Sequence, residues 1–399
     1  MAEYPVMISV EEAKQYIEDS IVSLKPVFLP IEISTGLVLA EPIYAPYSIP
    51  NYRQSSMDGF ALDIEELKEI LPIMGEIPAG TQEPFHLPKG KTVKIFTGAA
   101  VPDEANVVVM IEKCEIINET LIILDDKLRF GDNIRPIGSE ILEGALAMES
   151  GMSITPAAVG FLAGIGIDKV KVFPTPKIKI IITGNEIQEP GTVLTYGKTF
   201  NANTYLLKAA FSQLGIHHVE TDIIEDNLNS IQQELDFSLS YFDMVIVSGG
   251  VSVGDYDFTG LAFDNCRIKK VFHKIKQKPG KPILFGIKNS IPVFGLPGNP
   301  ASVLTCFYEY ILPALGKLMQ RKMELQKLQV QLSNNYKKLA GLTHFVKAFY
   351  NGESVSILTG QESYKLNTFA RANGLVLLPE SSTEFQAGDW VEFHLFPSF

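Results

Sequence analysis

Cysteine is scarce: Cys114, Cys266 and Cys306 are the three in 399 residues, far apart and without a C-x-x-C or Cys/His spacing. That excludes a disulfide framework and a thiolate zinc site, and leaves reduced thiols of the cytoplasmic kind. Long apolar runs are missing as well, none approaching the roughly 18 residues of a membrane span. The opening MAEYPVMISVEEAKQYIEDS has no basic segment followed by an apolar one, so a cytoplasmic chain with no membrane partner is expected. Positive charge is in deficit, 34 Lys and Arg against 46 Asp and Glu, for a net charge of −12. A general nucleic-acid binder needs clustered cations and is excluded on that balance. The G-x-S-x-G, H-E-x-x-H and P-loop strings are absent, and among six histidines only His217 and His218 are neighbours. Chemistry therefore falls to carboxylates, a divalent ion and positioning.

What is present is a folding chain, 46% apolar and 20% charged, and too long for one core. An amphipathic helix is expected over 10–24, followed by strands broken at Pro30 and Gly36. Short β-rich runs fill about 51–142, and Thr155-Pro156 opens a helix. After PTPK at 174–177 the pattern changes: KIKIIITG, DMVIVSGG and IPVFGLPG are apolar strands ending in glycine, alternating with helices. That alternation implies βαβ units, a parallel sheet, and ligand binding at the carboxyl ends of its strands. Beyond about 327 short strands return, as in a small barrel or sandwich.

The loops after those strands carry the polar residues. In SGGVSVGDYDFT, Gly249, Gly250 and Gly254 let backbone amides approach an anion, Ser248 and Ser252 add hydroxyls, and Asp255 and Asp257 suit Mg²⁺. The same loop reads equally as a tight structural turn. GLPGNPAS, with Pro297, Gly298, Asn299 and Pro300, offers amides at the start of a helix, or is simply a proline-stiffened connection. Glu186 in ITGNE and Asp226 in IIEDN follow strands, and each alone is also a surface carboxylate or cap. In a parallel sheet these four loops share one rim, with Lys278 and Lys281 of KPGKP supplying positive charge. The run 267–281 holds seven Lys or Arg and no acid, an anion attractor or a solvated strand face. In the N-terminal half, Asp58-Gly59 signals a turn, a hairpin on the plain reading, and Thr97 ends a strand.

Taken together, SSMDGFA, IFTGA, NIRPIGSE, ITGNE, SGGVSVGDYDFT, KPGKP and GLPGNPAS, in this order over most of the chain, resemble the MoeA family, the molybdopterin molybdenumtransferases, relatives of the gephyrin E domain. The resemblance implies a homodimer of four-part subunits: a linking and dimerisation α/β domain (1–50 with 142–176), a β-rich domain (51–141), a MogA-like molybdopterin-binding α/β domain (177–327) and a C-terminal β barrel (328–399). It implies an enzyme that takes adenylylated molybdopterin and molybdate and, with Mg²⁺, inserts molybdenum into the dithiolene and releases AMP; a MogA-like adenylyltransferase would be the partner. By the same resemblance Asp58 and Thr97 stand on one side of the cleft and Glu186, Asp226 and Asp257 on the other, from different subunits, the last three holding the metal. The lysines of KPGKP and the Pro297–Pro300 turn would bind the phosphate and oxyanion portions. The tail departs from the pattern: GLTHF replaces GRxxF, leaving Thr343 and His344 but no Arg, QES replaces QGS at 361–363, and GSE replaces GED near Glu140. Lys347 and Arg371 are the candidates for the missing charge. Competing readings are a pterin-binding scaffold that has lost turnover and a related adenylyltransferase or nucleotide pyrophosphatase.

Overall fold

A computed structural model describes residues 7–67, 70–250 and 258–397. The chain forms two compact units, Met1–Val27 with Phe173–Phe399, and Phe28–Val172. The expected combination of α/β, β-rich and barrel parts is what the strands build.

In the first unit a six-stranded sheet runs Val219–Ile224, Ile178–Thr183, Met244–Ser248, Ile291–Leu296, Leu284–Lys288, Lys269–His273. Every residue of Ile178–Thr183 and Met244–Ser248 is buried, which explains why these strands read as continuous apolar runs and not as alternating ones. The first four strands are parallel, as their spacing implies; the last two are antiparallel. The departure has a local cause. Leu284–Lys288 and Ile291–Leu296 are joined by Asn289 and Ser290, both at positive φ (51° and 69°), a two-residue turn whose twist closes a hairpin where a crossover helix would otherwise be needed. The basic run 267–281 thus supplies an edge strand.

Two helices differ from expectation. The first spans Val10–Ser20, with a capping box between Ser9 and Glu12, and stops short of 24 because Ile21 turns extended. The helical run after GLPGN is interrupted by a π segment, Phe307–Ile311, between Pro300–Cys306 and Leu312–Leu318. Pro313 has no N–H to give the Glu309 carbonyl one turn back, and its ring crowds that carbonyl, so the ladder widens there.

The tail closes on itself. Gln326–Leu332, Ser354–Ile357, Thr343–Tyr350, Gly374–Leu378 and Trp390–Leu395 form a five-stranded closed barrel around Val330, Val346, Val376 and Phe393. The short strand Gln277–Lys278 pairs alongside Thr343 and His344, so the KPGKP loop is stitched onto the barrel.

The second unit holds a six-stranded sheet in the order Val107–Met110, Gly59–Leu62, Thr92–Ile95, Leu71–Ile77, Thr120–Ile123, Cys114–Ile117. Asp58-Gly59 is not a hairpin turn. Gly59 enters a strand flanked on both sides, and a Cβ there would lie 1.8 Å from the Val109 carbonyl oxygen, so close backbone approach explains the glycine. Thr155 caps the helix Pro156–Gly164 through a hydrogen bond from the Ala158 N–H. No helix among the described residues is long and apolar enough to cross a membrane.

Candidate functional site

Register sets the site. Thr183 is level with Ile224, Ile182 with Ser248, and Ser248 with Leu296, so four parallel strands end on one edge and release their loops together. Those loops enclose a cavity of about 490 Å³ lined by Glu186, Asp226, Ser248, Gly249, Gly250 and the turn Gly298–Pro300. This is the rim expected of a parallel sheet. Lys278 does not line this cavity but a neighbouring one of about 500 Å³, with His344 and Gln361. Lys281 is exposed and lines neither. Ser252, Gly254, Asp255 and Asp257 lie outside the described residues.

Hydrogen bonds fix the rim. Thr183 donates its hydroxyl to Asp226 Oδ1 at 2.7 Å, and the Asp226 N–H donates to Asn185 Oδ1 at 3.2 Å. Gly249 and Gly250 take φ of 105° and 62°. A Cβ on Gly249 would sit 2.1 Å from the Thr183 carbonyl oxygen, and one on Gly250 would sit 3.0 Å from Asp226 Oδ1. The glycines therefore hold open a cradle beside the carboxylate. Gly249→Ala should lower stability by about 1–3 kcal/mol through backbone strain and clash; a melting temperature equal to the parent's would refute this tight approach.

Asn203, not singled out by spacing, is buried beneath the rim. Its Nδ2 donates to Ser248 Oγ (3.0 Å) and to the Gly298 carbonyl (2.8 Å), tying two loops together, while its Oδ1 is buried with no hydrogen-bond partner among the described residues. An orphaned buried acceptor is costly, and at a cavity wall it marks a place for a ligand donor. Ser248 is itself buried, its hydroxyl turned to the Pro297 carbonyl at 3.4 Å.

The barrel contributes the loop that carries the QES string. Asn299 Nδ2 donates to Ser363 Oγ at 2.9 Å and the Ala301 N–H to the Ser363 carbonyl at 3.1 Å, which brings the exposed Tyr364 to the cavity wall. Lys347 clamps this loop. The residue is 2% exposed, and its ammonium donates to the carbonyls of Gly360, Glu362 and Lys365. Burial pushes it down to about 8, against the nearby Glu362 charge, and the three carbonyls also favour its proton. Lys347 is thus spent inside the loop and cannot be the free cation that the altered tail string lacks. His344 does not replace it: burial first, then Lys338 and Lys278, hold its imidazole down at about 4, so it is neutral near pH 7. Arg371 is exposed, and its side chain has no hydrogen bond or ion pair among the described residues.

In the second unit, Asp58 Oδ1 accepts from both the N–H and the hydroxyl of Thr97, each at 2.7 Å. These two donors hold the Asp58 carboxyl below its usual range. The pair expected from the sequence is therefore one hydrogen-bonded unit.

A strand-end cradle with carboxylates and a buried unpaired acceptor, tied to a small barrel, defines a ligand-binding α/β protein of the kind that handles phosphorylated cofactors. Comparison with known proteins narrows the class. Residues 8–166 match the MoeA N-terminal region (domains I and II), 179–317 the probable molybdopterin binding domain, and 329–396 the MoeA C-terminal region (domain IV). The molybdopterin molybdenumtransferase of Haemophilus influenzae is 30% identical over 379 residues, covering 92% of this chain and 93% of its own. That of Staphylococcus epidermidis is 31% identical over 397 residues, 96% and 94%. The crystal structure of the molybdopterin biosynthesis MoeA protein from Pyrococcus horikosii superposes with a TM-score of 0.83 at 28% identity, covering 98% of this chain and all of that one. The chain belongs to the MoeA family of molybdopterin molybdenumtransferases, and its work is a transferase step of molybdenum cofactor biosynthesis.

Proposed function

We propose that the chain inserts molybdenum from molybdate into adenylylated molybdopterin and releases AMP, with Mg²⁺, at the rim carrying Glu186 and Asp226. The observation that carries this reading is the levelled ends of four parallel strands, which gather two carboxylates, the Gly249–Gly250 cradle and the Gly298–Pro300 turn around one cavity. Among the described residues no three His, Cys, Asp or Glu side chains form a complete metal cage. Two carboxylates and a threonine hydroxyl still suit an ion that keeps water and takes its remaining ligands from substrate phosphate. Glu186 and Asp226, with Asp257, would hold it, and when bound it offsets charge developing at the adenylyl phosphate.

The protein's own part is positioning. Thr183 occupies one oxygen of Asp226 and so fixes its orientation. The glycine amides and the Pro297–Pro300 turn face the anionic portion, and Asn203 Oδ1 takes a donor from the pterin or nucleotide. By the resemblance alone, Lys278, which lines the neighbouring cavity, Lys281, which lines neither, and Ser252 and Gly254 are assigned to the phosphate and oxyanion contacts. We further assign Asp58 and Thr97 to the same reaction from the partner subunit of a homodimer, with a MogA-like enzyme supplying the adenylylated substrate.

The test uses purified chain, adenylylated molybdopterin, Mg²⁺ and molybdate, with AMP as readout. Mixing Asp58→Ala with Glu186→Ala subunits should restore close to one intact site in four when heterodimers form at random. Confirmed heterodimers with no activity would rule out a shared cleft.

A further inference from the structure

A second cavity, about 430 Å³, lies in the first unit between the helices Val10–Ser20 and Leu312–Leu318 and the connection into the barrel. It shares no residue with the strand-end cavity. Its size suits a drug- or nucleotide-sized ligand. Five cations line it, Lys14, Lys317, Arg321, Lys322 and Lys327, against three acids, Glu18, Glu309 and Glu324. A positive concavity in a chain of net charge −12 attracts anions.

Four of the cations already have carboxylates: Lys14 with Glu309 (2.5 Å), Lys317 with Glu18 (3.8 Å), Lys322 with Glu324 (3.2 Å) and Lys327 with Glu392 (3.8 Å). Arg321 has no ion pair or side-chain hydrogen bond among the described residues. Its backbone is nevertheless fixed, its N–H bonded to the Gly316 carbonyl at 2.9 Å and its own carbonyl packed where a Gly316 Cβ would come to 2.6 Å. The cavity wall is also a built one. His394, 1% exposed, faces Glu309 at 2.6 Å through Nδ1 and Glu392 at 2.7 Å through Nε2, so both ring nitrogens are engaged by carboxylates. The adjacent π segment presents Tyr308 and Glu309 side by side, and such segments concentrate at functional sites. Tyr308, Met323 and Leu325 add apolar surface to the cavity lining.

We propose that this cavity binds a small phosphate monoester of mononucleotide size, its phosphate on the Arg321 fork and its organic part against Tyr308 and Met323. Guanidinium matches phosphate two-pronged, and the surrounding lysines raise its local concentration without being free to compete for it. The proposal does not rest on the metal-insertion reading.

Calorimetric titration of the full chain with AMP tests it, using wild type, Arg321→Glu, Arg321→Gln and Asp226→Asn. The expected result is a site that Asp226→Asn leaves intact, that both Arg321 variants weaken by roughly tenfold or more, and that adenosine, lacking phosphate, does not fill. Inorganic phosphate should occupy it more weakly than AMP. Equal AMP affinity in wild type and both Arg321 variants, AMP binding that vanishes in Asp226→Asn alone, sulfate binding as tight as AMP, or no AMP binding at millimolar concentration would each overturn it. Arg321 makes no side-chain hydrogen bond or ion pair among the described residues, so melting temperatures of its variants should stay close to wild type; a shared loss of affinity with unchanged melting separates ligand contact from misfolding.

Discussion

Asp226→Asn should slow AMP release by about 100-fold or more and move the Mg²⁺ requirement to higher concentration, while the melting temperature stays near that of the parent. The substitution keeps shape. Asn still accepts from the Thr183 hydroxyl and leaves the backbone bond to Asn185 in place, so what disappears is one negative charge at the cavity wall. Ligand-orienting groups around metals commonly cost 10- to 100-fold when removed, and a direct ligand should cost at least the upper figure. A drop in rate with an unchanged Mg²⁺ midpoint would move Asp226 from the ion to the substrate. No change in rate would remove the strand-end rim from the reaction altogether.

How far this site was legible in the sequence can be read from particular residues. Glu186 and the glycines of SGGV were visible because each follows a fully buried parallel strand, and such strands announce themselves as apolar runs of the right length, whereas Asp226 follows the partly exposed edge strand Val219–Ile224. Their convergence then follows from topology. Asn203 was not visible: it opens a helix and looks like any polar first-turn residue, and only the bonds to Ser248 and Gly298 reveal that it crosses between loops. Tyr364, and the reach of Ser363 in the QES string to the GLPGNPAS turn, were hidden for a related reason. Their link to Asn299 and Ala301 joins residues 62 or more positions apart, and no local periodicity records a contact at that range. Lys347 was a candidate on its charge alone, and only the fold shows that three carbonyls of one loop surround its ammonium in place of water. The antiparallel edge of the sheet was written in Asn289-Ser290, a pair that tolerates positive φ, but the strong strand-helix rhythm on either side outweighed a two-residue signal.

Glu309→Gln should cause the largest loss of stability, about 3 kcal/mol, the lower end of the range for breaking a buried ion pair, since Lys14 is still 30% exposed. Glu309 is 2% exposed and holds Lys14 through Oε2 and His394 through Oε1. Burial alone would raise its carboxyl, but the Lys14 ammonium and His394 outweigh burial and hold it at about 2, below the ordinary 4.5. The sign of the pH dependence follows. A carboxyl depressed in the folded state contributes its stabilisation fully above about 4.5, and loses it as pH falls toward 2, because the unfolded chain binds the proton first. Urea midpoints should therefore fall for the parent across that interval more steeply than for Glu309→Gln, and equal slopes would mean that Glu309 is not the group titrating. Replacing the cluster together, Lys14→Met with Glu309→Leu and His394→Phe, separates two explanations of the same loss. If the triple variant is nearly as stable as the parent, the cost of the single change lies in stranding partners that water no longer reaches, and the cluster is retained for the shape and charge it gives the neighbouring cavity wall. If the triple variant is as unstable as the single one, the ion pair itself holds the helix Val10–Ser20 against the π segment, and the cavity is a consequence of that contact.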